Sequence, residues 1–161
     1  MRRTSLKSAN CPVARSLDVI GDWWSLLIVR DAVRGLRRFG QFQKSLGLAR
    51  NILTVRLKAL VADGILRMEP AADGSPYLEY ALTEKGRDLL PVLVALRQWG
   101  MANCDDGSPW ATELVDRDTG RIVRGVSLQT DDGSSVEPAA VELRMVPDAS
   151  GVPEPIPASS T

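Results

Sequence analysis

Apolar residues recur at helical spacing four times in the first 63 positions, and then the period changes. Val13, Leu17 and Ile20 predict a helix over 13–21, closed by Gly21. Trp24, Leu27 and Ile28 share one face of a second helix over 23–34, which Gly35 ends. Phe39, Phe42 and Leu46 mark a short third helix that stops at Gly47. In a fourth, over 50–63, Leu53, Leu57, Leu60 and Val61 are spaced i, i+4, i+7, i+8 and so point at a core. The opposite face of that helix carries Asn51, Thr54, Val55 and Lys58, which is mostly polar, includes a cation and has no acid.

After Gly64 the pattern becomes that of a hairpin. A strand is predicted over 65–69, a turn over 70–76 containing Asp73-Gly74-Ser75, and a returning strand over 77–82 in which Leu78, Tyr80 and Leu82 alternate. Thr83 is a suitable N-cap for a long apolar helix reaching about Asn103, with Leu89, Leu90, Leu93, Leu96 and Trp99 along it. Pro91 lacks an N–H and crowds the preceding turn, so it predicts a kink there or a break in the helix. Helices, then a polar-faced helix, a hairpin and a long helix make an α+β winged helix-turn-helix layout. Such a module lays its second motif helix in the DNA major groove, with the hairpin against neighbouring backbone or minor groove. The five apolar residues of the long helix exceed what one small domain can cover, which predicts a homodimer through Leu89, Leu90, Leu93, Leu96 and Trp99.

Beyond Cys104 the pattern changes again. Short strands are predicted over 112–115 and 122–128, joined by Asp118-Thr119-Gly120, with a second turn at Asp131-Asp132-Gly133 and a half-buried strand from Val141, Leu143 and Met145. The chain thus divides into a flexible arm over 1–10, a winged-helix and dimerisation domain over 11–104, a small β-rich acidic extension over 105–146 and a Pro-, Ser- and Ala-rich tail over 147–161 expected to be disordered.

Charge sharpens this division. The 161 residues hold 20 Lys/Arg and 20 Asp/Glu. Residues 1–104 carry 16 cations against 9 acids, a net of +7, and residues 105–161 carry 4 against 11, a net of −7. Between Asp31 and Asp63 no acid occurs, while Arg34, Arg37, Arg38, Lys44, Arg50, Arg56 and Lys58 do. A run of this kind is either a solvated face or a polyanion-binding one. The chain has no histidine, which removes Ser-His and Cys-His catalysis and His-ligated zinc. With no phosphate loop, nucleophile elbow or metal-ligand cluster, the expectation is a non-enzyme without cofactor or metal. The basic N-terminus has no apolar core behind it and no apolar run approaches a membrane span, so a cytoplasmic protein is expected.

Several segments together resemble the HxlR-type regulators, a branch of the winged-helix transcription factors related to MarR proteins. They are Cys11-Pro12-Val13, Leu17-Asp18-Val19-Ile20-Gly21, Trp24-Ser25-Leu26-Leu27-Ile28, Gly35-Leu36-Arg37-Arg38-Phe39-Gly40, Leu53-Thr54-Val55-Arg56-Leu57, Asp63-Gly64-Ile65-Leu66, Glu79-Tyr80-Ala81-Leu82-Thr83 and Gly86-Arg87-Asp88-Leu89-Leu90-Pro91-Val92-Leu93. Each is weak alone, and their order over residues 11–100 is what makes the match specific. The resemblance implies a homodimer on palindromic double-stranded operator DNA, acting as a repressor. Arg37, Arg38, Arg50, Asn51, Thr54, Val55 and Lys58 would be at the DNA, and the long helix, with the first, would form the dimer interface. It also accounts for a proline inside the long helix. It further places Cys11 where some members carry a redox-sensing cysteine, so that a bridge from Cys11 to Cys104 of the other subunit is conceivable. Arg15 and the helix N-terminus favour the Cys11 thiolate, whereas Asp105 and Asp106 oppose that of Cys104.

The chain departs from the family at three places. Ala49-Arg50 stands where the family has Ser-Pro before the recognition helix, Tyr77 where a basic wing residue is common, and Trp23 where a lysine precedes the family tryptophan. Where some members have a cysteine-bearing, zinc-ribbon-like extension, the turns here carry Thr119, Gln129 and Asp132. A metal-free relic and an unrelated β-rich addition both fit. Arg37 and Arg38 fit either phosphate contact or intra-domain ion pairing, and the two cysteines fit either a redox switch or incidental thiols. The regulatory signal fits an oxidant or a small molecule, and the module fits DNA binding or a winged-helix protein-interaction role.

Overall fold

A computed structural model describes residues 5–9, 11–104 and 112–144. It falls into two compact units, one running through Leu89 and one from Leu90 onward.

The first unit contains α1 (Pro12–Ile20), α2 (Trp23–Val33), α3 (Phe39–Leu46), α4 (Arg50–Ala62), β1 (Leu66–Pro70), β2 (Leu78–Leu82) and α5 (Glu84–Arg87). Helix ends follow local chemistry. Pro12 opens α1, where its missing N–H is no loss. At the other end, a Cβ on Gly21 would sit 2.2 Å from the Leu17 carbonyl oxygen, so the α1–α2 corner requires glycine. Asp22 caps α2 by accepting the Ser25 N–H at 3.1 Å. Gln41 Oε1 accepts the N–H groups of Arg37 and Arg38, both at 2.9 Å, and so holds the entry to α3. Gly47, at φ +64°, closes α3 in the left-handed region.

The core is the inner face of these helices against the hairpin. Ile28, Val29, Phe42, Leu53, Leu57, Leu60, Ile65 and Leu66 are buried. Strands β1 and β2 pair antiparallel, from Leu66 opposite Leu82 to Pro70 opposite Leu78. The hairpin is tied to the α3 entry by the Tyr80 N–H, which donates to the Arg37 carbonyl at 2.8 Å, and by an edge-on contact of Tyr80 with Phe42. Thr83, the expected cap, accepts the Gly86 N–H at 3.1 Å and donates to the Gly64 carbonyl at 2.6 Å. Of the arm expected before residue 11, Ser5 and Leu6 bond the Asp18 carboxylate.

Of the kink or break expected at Pro91, the structure shows the break: two helices stand where one long helix was predicted. Helix α5 ends at Arg87, Asp88 and Leu89 form a turn, and α6 runs Leu90–Asn103. Pro91 falls in the first turn of α6, where no intrahelical N–H bond is forfeited, so the break replaces the kink. Leu89 therefore lies in the turn and not on the long helix.

The second unit joins α6 to the extension. Its expected first pair of strands contracts to one bridge, Val115 with Ile122, flanked by the Val123 N–H to the Leu114 carbonyl at 2.8 Å. Strands β3 (Leu128–Gln129) and β4 (Ser135–Val136) pair antiparallel around the expected Asp131-Asp132-Gly133 turn. The strand expected from Val141, Leu143 and Met145 is not formed over the described residues. A 3₁₀ turn, Pro138–Ala140, precedes unpaired chain, and Leu143 is 99% exposed. Alternation states which face a strand would bury, but a strand also needs a neighbour, and the described residues supply none. Met145, the tail over 147–161 and Asp105 and Asp106 lie outside the described residues.

Candidate nucleic-acid interface

Helix α4 presents its sequence-predicted face outward. Leu53, Leu57 and Leu60 are buried, whereas Asn51, Val55 and Lys58 are exposed, Val55 by 61%. Neither Asn51 nor Lys58 has a side-chain hydrogen bond or ion pair to the described residues. Thr54 is half-buried, and its hydroxyl donates to the Arg50 carbonyl at 2.8 Å, leaving its oxygen to accept. Ala49 gives α4 no side-chain cap, as its residue type requires. Arg50, at the first helical position, lies with its guanidinium carbon 5.7 Å from the centroid of the Phe39 ring.

The acid-free run of seven cations is not acid-free in space. Arg34 lies 3.5 Å from the fully buried Asp31 carboxylate, which also takes two bonds from Arg30. Arg56 is 3.3 Å from Asp22, the residue that caps α2, so this cation braces α4 against α2. Arg37 bonds Glu69 at 2.9 Å, and Arg38 bonds both Glu79 at 3.0 Å and Asp73 at 2.5 Å. Asp73 first, and then Glu79, raise the Arg38 guanidinium above its ordinary value. In turn Ser75, and then Arg38, hold the Asp73 carboxyl down at about 2. Both arginines, expected either at phosphate or in ion pairs, thus clamp the hairpin to the α3 entry. Lys44, Arg50 and Lys58 are the members of the run with no carboxylate partner among the described residues. For Arg37 and Arg38 position along the chain could not reveal this, because their acids come from 32 to 41 residues away.

The remaining predicted residues sit as follows. On α6, Leu90, Leu96 and Trp99 are exposed and Leu93 is half-buried; exposed Val92 shares one helical face with Leu96 and Trp99, whereas Leu90 falls on the other side. Cys11 is the half-buried residue before α1, and Cys104 is exposed after α6; both are free thiols. An open apolar groove of about 360 Å³ runs along α1 and α5, lined by Val19, Ile20, Ile65 and Leu89 with Arg15 and Lys85 among its walls. Among the described residues no group of three or more His, Cys, Asp or Glu is placed to hold a metal. No helix there is long and apolar enough to cross a membrane.

The model of the HxlR-like helix-turn-helix matches residues 19–108, more than half of the chain, with α2, α3, α4 and the hairpin all inside the match. The chain belongs to the HxlR-like helix-turn-helix family. An uncharacterised HTH-type transcriptional regulator of Mycobacterium bovis is 46% identical over 88 residues, 55% of this chain and 56% of that protein. YybR of Bacillus subtilis, also an HTH-type transcriptional regulator, is 38% identical over 96 residues, 59% of this chain and 77% of that one. The match thus spans little more than half the length of the mycobacterial relative. Among solved structures, PA1607, a candidate transcription factor, superposes with a TM-score of 0.78 at 52% identity, over 88% of this chain and 99% of that one. The oxidised form of the redox regulator HypR gives 0.53 at 38% identity, over 59% of this chain and 99% of that one. Helices α2 to α4 and the hairpin are thus the winged helix-turn-helix module of this family, and the relatives named above are HTH-type transcriptional regulators.

Proposed function

We propose that this HxlR-type chain is a homodimeric, sequence-specific DNA-binding repressor that lays α4 in the major groove of a palindromic operator. One observation carries the reading: the outward face of α4 offers Asn51, Val55 and Lys58 to solvent with no carboxylate beside them, directly ahead of the hairpin. Asn51 supplies the donor–acceptor pair that suits adenine, Val55 a methyl surface for thymine and Lys58 a point charge for phosphate. Arg37 and Arg38 act on DNA chiefly by setting the hairpin, since phosphate must compete with Glu69, Asp73 and Glu79 for them. The exposed stripe of α6, with Leu96 and Trp99, serves the dimer, and Leu90 adds apolar surface at the start of the helix.

The test is selection of bound duplexes from a random pool, followed by titration at several salt concentrations. Asn51→Ala relaxes base preference, by about 1–3 kcal/mol at one position. Lys58→Ala weakens all sequences alike and flattens the salt slope by about one ion. Equal affinity for selected and scrambled duplexes would falsify the reading and leave a winged-helix protein-interaction module in its place.

Regulation belongs to the same proposal in two forms. Thiol oxidation acts through Cys11 and Cys104, in keeping with the relative named a redox regulator. A small-molecule effector is the other form, with the groove beside α1 as its seat.

A further inference from the structure

The geometry points to Arg50 as a specificity-determining residue that reads guanine, with Phe39 as the platform that positions it. The inference rests on the DNA-binding reading above and adds to it a base and a positioning residue.

Arg50 is in an unfavourable place for stability. It stands at the first position of α4, where the helix dipole repels a cation, and it follows Ala49, which contributes no cap. No carboxylate among the described residues compensates it, although Arg34, Arg37, Arg38 and Arg56 around it each have one. A local rule broken without a compensating ion pair marks a position kept for another purpose. What the structure does provide is the Phe39 ring, whose centroid lies 5.7 Å from the guanidinium carbon, within cation–π range. An aromatic face offers no hydrogen-bond acceptor. It limits the wandering of the planar fork and leaves all five N–H donors unspent.

A donor-only fork held at the N-terminal turn of a recognition helix fits a pair of adjacent acceptors on a base edge. In the major groove that pair is O6 and N7 of guanine. The N-terminal residues of such a helix are the ones that reach base edges. The Thr54 hydroxyl, donated back to the Arg50 carbonyl, stiffens the same turn. Phosphate would need charge alone, and Lys44 and Lys58 already offer it without a platform.

The test uses the full chain and a random duplex pool, with selection repeated for Arg50→Ala, Arg50→Lys, Phe39→Leu and Phe39→Trp. The wild type is expected to enrich one fixed guanine per half-site. In Arg50→Ala that preference falls roughly tenfold to a hundredfold while the other positions keep theirs. Arg50→Lys retains the charge but loses most of the same preference. Phe39→Leu keeps an apolar side chain and blunts only the Arg50-dependent position, and Phe39→Trp preserves it. A uniform loss of affinity in Arg50→Ala with every base preference intact makes Arg50 a phosphate contact and overturns the inference. Phe39→Leu leaving the position untouched, or flattening all positions together, overturns the platform. Should the wild type enrich no sequence at all, the DNA-binding reading fails and this inference with it, an outcome distinct from a defect confined to one operator position.

Discussion

The side-chain amide of Gln98 donates to the Val126 carbonyl at 3.1 Å and accepts the Val126 N–H at 3.0 Å. One glutamine on α6 thus takes the part of a neighbouring strand for an extension that has little ladder of its own. Gly125 makes the approach feasible. Its φ is +142°, and a Cβ there would lie 2.6 Å from the Gln98 amide carbon. Arg97 adds a bond to the Thr112 carbonyl at 2.8 Å. Two amide bonds of about 0.5–1.5 kcal/mol each make Gln98→Ala cost about 1–3 kcal/mol, confined to the extension. Hydrogen exchange at the Val126 amide should accelerate accordingly while amides of α2 and α4 keep their protection. Gly125→Ala is expected to act in the same direction, because its backbone is strained for any L side chain.

The clamp on the hairpin has a defined acid limit. Asp73 titrates at about 2 in the folded chain, below the ordinary 3.8, held there by Ser75 and then Arg38. A depressed carboxyl contributes its full stabilisation above the unfolded value and loses it as pH falls towards the folded one. The Asp73–Arg38 contact is therefore constant from neutral pH to about 4 and fades between about 4 and 2. Carboxyl-carbon NMR should place the Asp73 midpoint near 2, and a midpoint near 4 would mean the contact does not form in solution. Arg38→Gln is expected to destabilise the hairpin more than Asp73→Asn does, because it also removes the 3.0 Å bond to Glu79, whose side chain is only 8% exposed and keeps only the longer 3.8 Å contact with Arg37.

The same residues show what the sequence discloses and what it withholds. The buried faces of α2 and α4 are legible because helical periodicity is a local signal: Ile28, Leu53, Leu57 and Leu60 lie where their spacing puts them. The outward face of α4 follows from the same geometry. Much of the ion pairing is not local, so Arg37, Arg38 and Arg56 acquire partners that no window along the chain could display, whereas Arg34 pairs with Asp31 one turn away. Strand pairing is equally non-local: the alternation of Val141 and Leu143 is genuine, yet no edge among the described residues receives it. Pro91 does mark an irregularity, but its residue type alone does not say whether it lies inside a helix, where it would kink the axis, or in a first turn, where it sits without penalty.

The stripe of α6 leads to a measurable association. Leu96 and Trp99 are 49% and 63% exposed and lie three residues apart, with Val92 one turn earlier. Their contiguity makes a patch that a lone chain would leave in water at about 25 cal/mol per Å². Sedimentation at micromolar concentration should give a dimer for the wild type. Leu96→Glu and Trp99→Glu should shift it to monomer and, by separating the half-site readers, lower operator affinity by about two orders of magnitude. A wild-type monomer under these conditions removes the paired half-site model.

Regulation by oxidation requires the two thiols to meet. Cys11 is half-buried and immediately precedes α1. Cys104 is the more accessible of the two and follows the C-terminal end of α6. A bridge would join Cys11 of one subunit to Cys104 of a second. A bridge needs Cα atoms within about 7 Å of each other in the dimer. Mild diamide followed by non-reducing electrophoresis should give a covalent dimer in the wild type and none in Cys11→Ser or Cys104→Ser, with operator affinity changing only where the bridge forms. If the wild type stays monomeric on the gel and its DNA affinity is unmoved, oxidation is not the signal. A small molecule with an apolar body and an anionic group, in the groove beside α1, is then the form of regulation to pursue, because Val19, Ile20 and Leu89 give that groove apolar walls and Arg15 and Lys85 its charge.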